Sequence, residues 1–107
     1  MFIHEREALK DVIQALRGRL RGKIVSAHAF GSRVRGSQDE WSDFDLLVIV
    51  DGRTPALEKE VIGIIVEEET KKGLSFAPVV KDIREFELEK RFNTPFYENI
   101  VKEGVPL

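Results

Sequence analysis

The sequence has no cysteine among its 107 residues. Disulfides, thiol nucleophiles and thiolate metal sites are excluded, and a reducing compartment is compatible. It also lacks an excess of either charge, since 17 Lys and Arg stand against 19 Asp and Glu. A general nucleic-acid binder draws its affinity from a basic surface, so nucleic acid is not an expected partner. No apolar run approaches the roughly 20 residues that span a bilayer, and no membrane association is expected. The opening MFIHEREALK turns polar within four residues and does not read as a signal peptide. A cytoplasmic protein is the default expectation. Repeats, linkers and low-complexity segments are absent, and the length suits one domain spanning 1–107.

What is present is an ordinary globular composition, 42% hydrophobic and 34% charged, in the range of soluble domains. Residues 3–21 read as an amphipathic helix, with Leu9, Val12, Ile13, Leu16 and Leu20 at helical spacing and Gly22 as its stop. Arg17, Arg19 and Arg21 suit the end of that helix. Residues 23–30 read as a strand, and His28 within it as a packed side chain. Phe44 to Val50 is the clearest strand, apolar on both faces and so expected in the middle of a covered sheet. Thr54 and Pro55 open a helix whose core stripe is Leu57, Val61, Ile64 and Ile65 and whose cap is Gly73. Glu67, Glu68 and Glu69 read as its solvated end. Residues 74–80 form a third strand, and Pro78 predicts an edge or a bulge because it cannot donate to a ladder. Two short helices follow, one capped by Asp82 and one carrying Phe96, Tyr97, Ile100 and Val101, the last four read as core.

The chemistry concentrates in AFGSRVRGSQDEWSDFDLLVIV. Asp43 and Asp45 stand two apart at the head of a strand, so both carboxylates project from one face. Two adjacent like charges repel unless a cation lies between them. Hard divalent ions such as Mg²⁺ prefer carboxylate oxygens and keep phosphate and water ligands as well. Gly31 gives a tight turn after the preceding strand, and backbone N–H groups after such a turn can cradle phosphate. Ser32 follows it, and Arg33 and Arg35 supply charge-assisted phosphate contacts. Asp45 lies inside apolar sequence, where an ionised carboxylate is costly unless paired or metal-bound. Trp41, just before the pair, reads as packing on its own domain.

With Phe30-Gly31-Ser32, Arg33, Arg35-Gly36 and Ser42-Asp43-Phe44-Asp45-Leu46, and ten residues between Ser32 and Asp43, this stretch resembles the nucleotidyltransferase signature of the DNA polymerase β superfamily. It is most similar to the minimal nucleotidyltransferases, antitoxins of toxin–antitoxin pairs often encoded beside a HEPN-domain partner. The resemblance implies an α/β fold, a small mixed sheet flanked by helices. It implies an enzyme that moves a nucleoside monophosphate, AMP from ATP, to a hydroxyl of a HEPN-type partner protein. Asp43 and Asp45 would hold Mg²⁺ and be catalytic, while Gly31, Ser32, Arg33 and Arg35 would bind the nucleotide.

One departure from the family pattern stands out. Catalytic members carry a third carboxylate on the strand after the second long helix, and here that strand reads Leu74-Ser75-Phe76-Ala77-Pro78-Val79-Val80. Asp82 comes too late and reads as a helix cap. The alternative reading is therefore a catalytically weak or inactive nucleotide-binding module that neutralises its HEPN partner by complex formation. Ser75 and Ala77 alternate on one face, and the sequence does not choose between them as the place of the missing acid.

Overall fold

The structure is a computed structural model that describes residues 3–31 and 43–107. Helix α1 covers Ile3–Arg19, strand β1 Ile24–Phe30 and strand β2 Phe44–Val50. Helix α2 covers Pro55–Lys72, strand β3 Phe76–Asp82, helix α3 Ile83–Phe92, helix α4 Pro95–Glu103 and strand β4 Val105–Pro106. The sheet runs β3-β2-β1-β4, with β1 antiparallel to both neighbours and β2 parallel to β3. This is the expected small mixed α/β sheet.

Local chemistry accounts for the helix boundaries. Thr54 accepts a hydrogen bond from the Leu57 N–H at 3.1 Å, Pro55 fills the first turn, and Gly73 closes α2 in the left-handed region. Those are the positions where a side-chain acceptor, a fixed φ and a missing Cβ each help most. Asp82 caps α3 through the Arg84 N–H, and Thr94 caps α4 through the Tyr97 N–H. Asn93 ends α3 at φ 51°, a conformation that asparagine tolerates.

The two faces of the sheet are unequally covered. Helices α1 and α2 pack on one face, where Leu9, Val12, Leu16, Val61 and Ile65 bury against Ala29, Phe44, Leu46, Val48 and Val50. Phe44, Leu46, Leu47, Val48, Ile49 and Val50 are all fully buried. Burying a side chain of this size contributes about 1.5–3 kcal/mol each, which makes β2 the axis of the core. On the other face α3 and α4 cover Leu47 and Ile49 with Ile100, and Phe30, Val79, Ile83, Phe86 and Phe96 complete a thinner layer. Lys81 ties that layer down. Its ammonium lies 2.7 Å from Glu89, 3.5 Å from Glu85 and 4.6 Å from the centre of the Phe96 ring. Burial alone would lower its pKa, but the hydrogen bond and charge of Glu89, with Glu85, outweigh it and raise the value.

Strand β3 is an edge, as Pro78 predicts. The Phe44 N–H donates to the Ser75 carbonyl at 2.9 Å. Backbone groups alternate sides along a strand, so Ser75, Ala77 and Val79 face β2 and Pro78 faces outward. The missing N–H thus falls on the open side, where it interrupts a free row of donors.

Several expectations are corrected. Strand β3 begins two residues later than predicted and runs through Asp82, because its pairing with β2 continues to Val50. The β4 strand was not anticipated. Two residues carry no periodicity to read, and they pair with His28 and Ala29 of β1. Glu68 is not solvated but 7% exposed, because its turn of α2 faces α1; Lys71 at 3.4 Å partners it. Val101 is not core, at 64% exposure, since Phe96 and Ile100 already occupy the inward side of α4.

Candidate active site

Strand β2 decides where the carboxylates point. Phe44 is locked into the α1/α2 side, with Phe76 beside it at a ring separation of 6.3 Å. Alternation then turns Asp45 to the opposite face, the one that carries Leu47 and Ile49. Asp43 immediately precedes β2, two residues before Asp45. A one-residue slip would drive Asp45 into the α1/α2 core and Phe44 out of it, so the core fixes the site's polarity. Asp43 is exposed and Asp45 half-buried. Asp43 therefore meets solvent at the entry to β2, while Asp45 is partly covered.

Strand β1 ends beside them. Phe30 is in register with Asp45, and Gly31 follows at φ 90°. A Cβ placed on Gly31 would lie 2.0 Å from Asp45 Oδ2 and 2.9 Å from its Cγ. The Asp45 carboxylate thus rests against the bare backbone of the turn. Phe96 closes the inner side, edge-on to Phe30 with ring centres 6.0 Å apart. Ser32, Arg33 and Arg35, together with Trp41, lie outside the described residues.

On the other flank, Ala77 of β3 is in register with Asp45, and the Ser75 carbonyl bonds to the residue that follows Asp43. The β3 residue beside Asp45 is thus Ala77, a distinction that needed the strand register and could not be read from alternation alone. Asp82 is at the far end of β3. It accepts from the Gly52 N–H at 2.9 Å, the Arg53 N–H at 2.7 Å and the Arg84 N–H at 2.9 Å. The Arg53 N–H first, then that of Arg84 and the Arg84 guanidinium, hold its pKa down to about 2. It is a structural cap, as its position after the strand predicts.

His28 shares a face with Leu47 on the neighbouring strand, and its Nδ1 is buried without a hydrogen-bond partner. Burial lowers its pKa, so the ring is neutral near pH 7. Packing, not ligation, describes it. Among the described residues no three of His, Asp and Glu gather into a group that could hold a metal ion. No helix among the described residues is long and apolar enough to cross a membrane.

A nucleotidyltransferase domain model matches residues 9–107. A Methanocaldococcus jannaschii protein named as a protein adenylyltransferase is 31% identical over 104 residues, covering 95% of this chain and 96% of that protein. Two crystal structures of variants of the toxin–antitoxin MntA-HpeT share the fold. One carries two Asp-to-Glu changes two positions apart; it superposes with a TM-score of 0.57 at 18% identity, over 91% of this chain and 69% of that one. The other superposes with a TM-score of 0.57 at 21% identity, over 92% and 69%. The domain model spans most of the chain and the archaeal protein nearly all of it, so the chain belongs to the nucleotidyltransferase domain family and is an enzyme of that class.

Proposed function

We propose that this protein, as a single domain over residues 1–107, transfers AMP from ATP to a hydroxyl of a HEPN-type partner protein, as the antitoxin of a toxin–antitoxin pair. The observation that carries the reading is the Asp45 carboxylate at the head of β2, seated against Gly31, with Asp43 two residues before it in sequence. The name of the archaeal relative supports protein adenylylation. The shared fold with MntA supports a toxin as the partner.

The donor set suits Mg²⁺. Two carboxylates offer hard oxygens, and the bare backbone at Gly31 leaves room for the Asp45 carboxylate to sit against the turn. Asp43 and Asp45 would hold the ion, which when bound screens phosphate charge and polarises the reacting phosphoryl group. The chain's own part is positioning. Asp45 fixes the inner wall of the site and Asp43 the outer one. The Gly31 turn, with Ser32, Arg33 and Arg35 assigned from the sequence, orients the β- and γ-phosphates. The acceptor oxygen attacks the α-phosphorus, the bond to the β-phosphate oxygen breaks, pyrophosphate leaves, and the hydroxyl proton passes to water or a base on the acceptor. In-line transfer of this kind depends mainly on alignment and charge stabilisation.

A second reading is favoured by one observation, the absence of an acid on β3 beside Asp45. A site with two carboxylates can bind nucleotide yet transfer slowly, and the chain would then neutralise its partner by occupation. ATP labelled at the α-phosphate, Mg²⁺ and a candidate HEPN-type partner separate the two. Label appearing on the partner, with none from γ-labelled ATP, is the result expected. A stable complex that never takes label would assign the chain to binding alone.

A further inference from the structure

Four glycines among the described residues have positive φ: Gly22, Gly31, Gly52 and Gly73. At Gly22, Gly52 and Gly73 a Cβ would meet nothing within 4 Å, so the backbone angle alone accounts for glycine there. Gly31 differs. Its missing Cβ is the place that the Asp45 carboxylate fills, 2.0 Å from Oδ2, 2.9 Å from Cγ and 3.3 Å from Cβ of that aspartate. Real Cβ contacts do not come that close, and the obstructing atoms belong to a short side chain rooted in the central strand. Asp45 cannot retreat along β2, because Phe44 and Leu46 on either side are fully buried. It has only a side-chain rotation with which to escape.

We infer that Gly31 is a positioning residue that acts through Asp45, by leaving open the seat in which that carboxylate is held. The inference rests on the reading of Asp45 as a metal-binding carboxylate and assigns Gly31 a task separate from any contact with phosphate. A side chain at this position would turn the Asp45 carboxylate out of its seat. Metal affinity would then fall even with no nucleotide present.

The test uses the full chain and two readouts. The first is binding of Mn²⁺ alone, followed by electron paramagnetic resonance. Gly31→Ala is expected to lose at least about tenfold in Mn²⁺ affinity, the range seen when the support of a metal ligand is removed. Gly52→Ala, which has the same backbone handicap and no neighbour to strike, should keep wild-type affinity. Asp45→Asn tests the metal role of the carboxylate itself. If Asp45→Asn leaves Mn²⁺ binding intact, the metal-site reading fails. If Asp45→Asn abolishes it while Gly31→Ala does not weaken it, the positioning role alone fails.

The second readout is a melting-temperature cycle, which decides the matter even if Gly31→Ala is too unstable to titrate. Gly31→Ala is expected to cost at least about twice as much melting temperature in the wild-type chain as in an Asp45→Gly background, because residues in contact are not additive. The residual loss there should approach that of Gly52→Ala. Equal losses in both backgrounds, or failure to fold in both, would overturn the inference.

Discussion

Replacing Ala77 by Asp would place a third carboxylate on the face that carries Asp45. The two residues are in register on adjacent parallel strands, so their side chains start about 5 Å apart. Two unit charges at that separation repel by about 3 kcal/mol at an effective dielectric of about 20. Both positions are only half-buried, and salt and solvent reduce the figure to about 1–3 kcal/mol. For a chain of this size that corresponds to a melting temperature lower by about 5–20 °C in a chelating buffer. Mg²⁺ should recover most of the loss, so the metal-induced rise in melting temperature becomes larger in the variant than in the wild type. If the third acid also completes the metal site, pyrophosphate release with ATP and the partner should rise about tenfold, for which about 1.4 kcal/mol of barrier suffices. Scanning fluorimetry with and without Mg²⁺, followed by a coupled pyrophosphate assay, measures both. Ser75→Asp is the comparison, because Ser75 is more exposed and lies beside Asp43 instead; its loss in chelator should be smaller. An Ala77→Asp protein that melts like the wild type in both buffers would refute the adjacency. One that is destabilised but gains nothing from Mg²⁺ would refute the metal role.

Other consequences are simpler to read. Gly63 lies inside α2, and a Cβ there would meet nothing within 4 Å; Gly63→Ala should therefore stabilise the fold by about 0.5–1 kcal/mol in urea titration. His28 has its folded pKa lowered by burial, so its contribution to stability is present above the unfolded value of about 6.5 and is lost as pH falls below it. His28→Phe should flatten the fall in stability that sets in as pH drops below about 6.5, and an unchanged slope would show that the ring titrates normally. Asp82, held at about 2 by the Arg53 N–H and then by Arg84, contributes stability that is present above about pH 4 and lost as pH falls toward its folded value. Asp82→Asn should melt lower at neutral pH and show a shallower acid decline than the wild type.

Much of this fold was legible because its signals are local. Thr54-Pro55, Gly73, Asp82 and Thr94 mark helix ends through caps that act within a few residues. Leu9, Val12, Ile13 and Leu16 show their helix through spacing, and Phe44 to Val50 shows a two-sided strand through unbroken apolarity. The turn of Asp45 away from the α1/α2 core follows from the same alternation. What could not be read depends on pairs distant in sequence. That Ala77 rather than Ser75 lies beside Asp45 is a matter of the parallel register of β2 and β3, which pairs residues with 31 others between them in the chain. The contact of Gly31 with Asp45 is likewise created only when β1 pairs with β2. The burial of Glu68 requires knowing that α1 lies against α2, and a run of three glutamates says nothing about that. Val101 was misplaced because α4 offers its inner side to a thin layer, and helical spacing alone did not say which residues of PFYENIVKE would fill it.

The measurement that bears most directly on the account is the intact mass of the partner protein after incubation with ATP, Mg²⁺ and this chain, in parallel with Asp43→Asn and Asp45→Asn. A partner heavier by whole AMP units is expected with the wild type, and an unmodified partner with either variant even though both variants fold. A partner modified equally by Asp45→Asn would contradict it, because the transfer would then owe nothing to the carboxylate seated against Gly31.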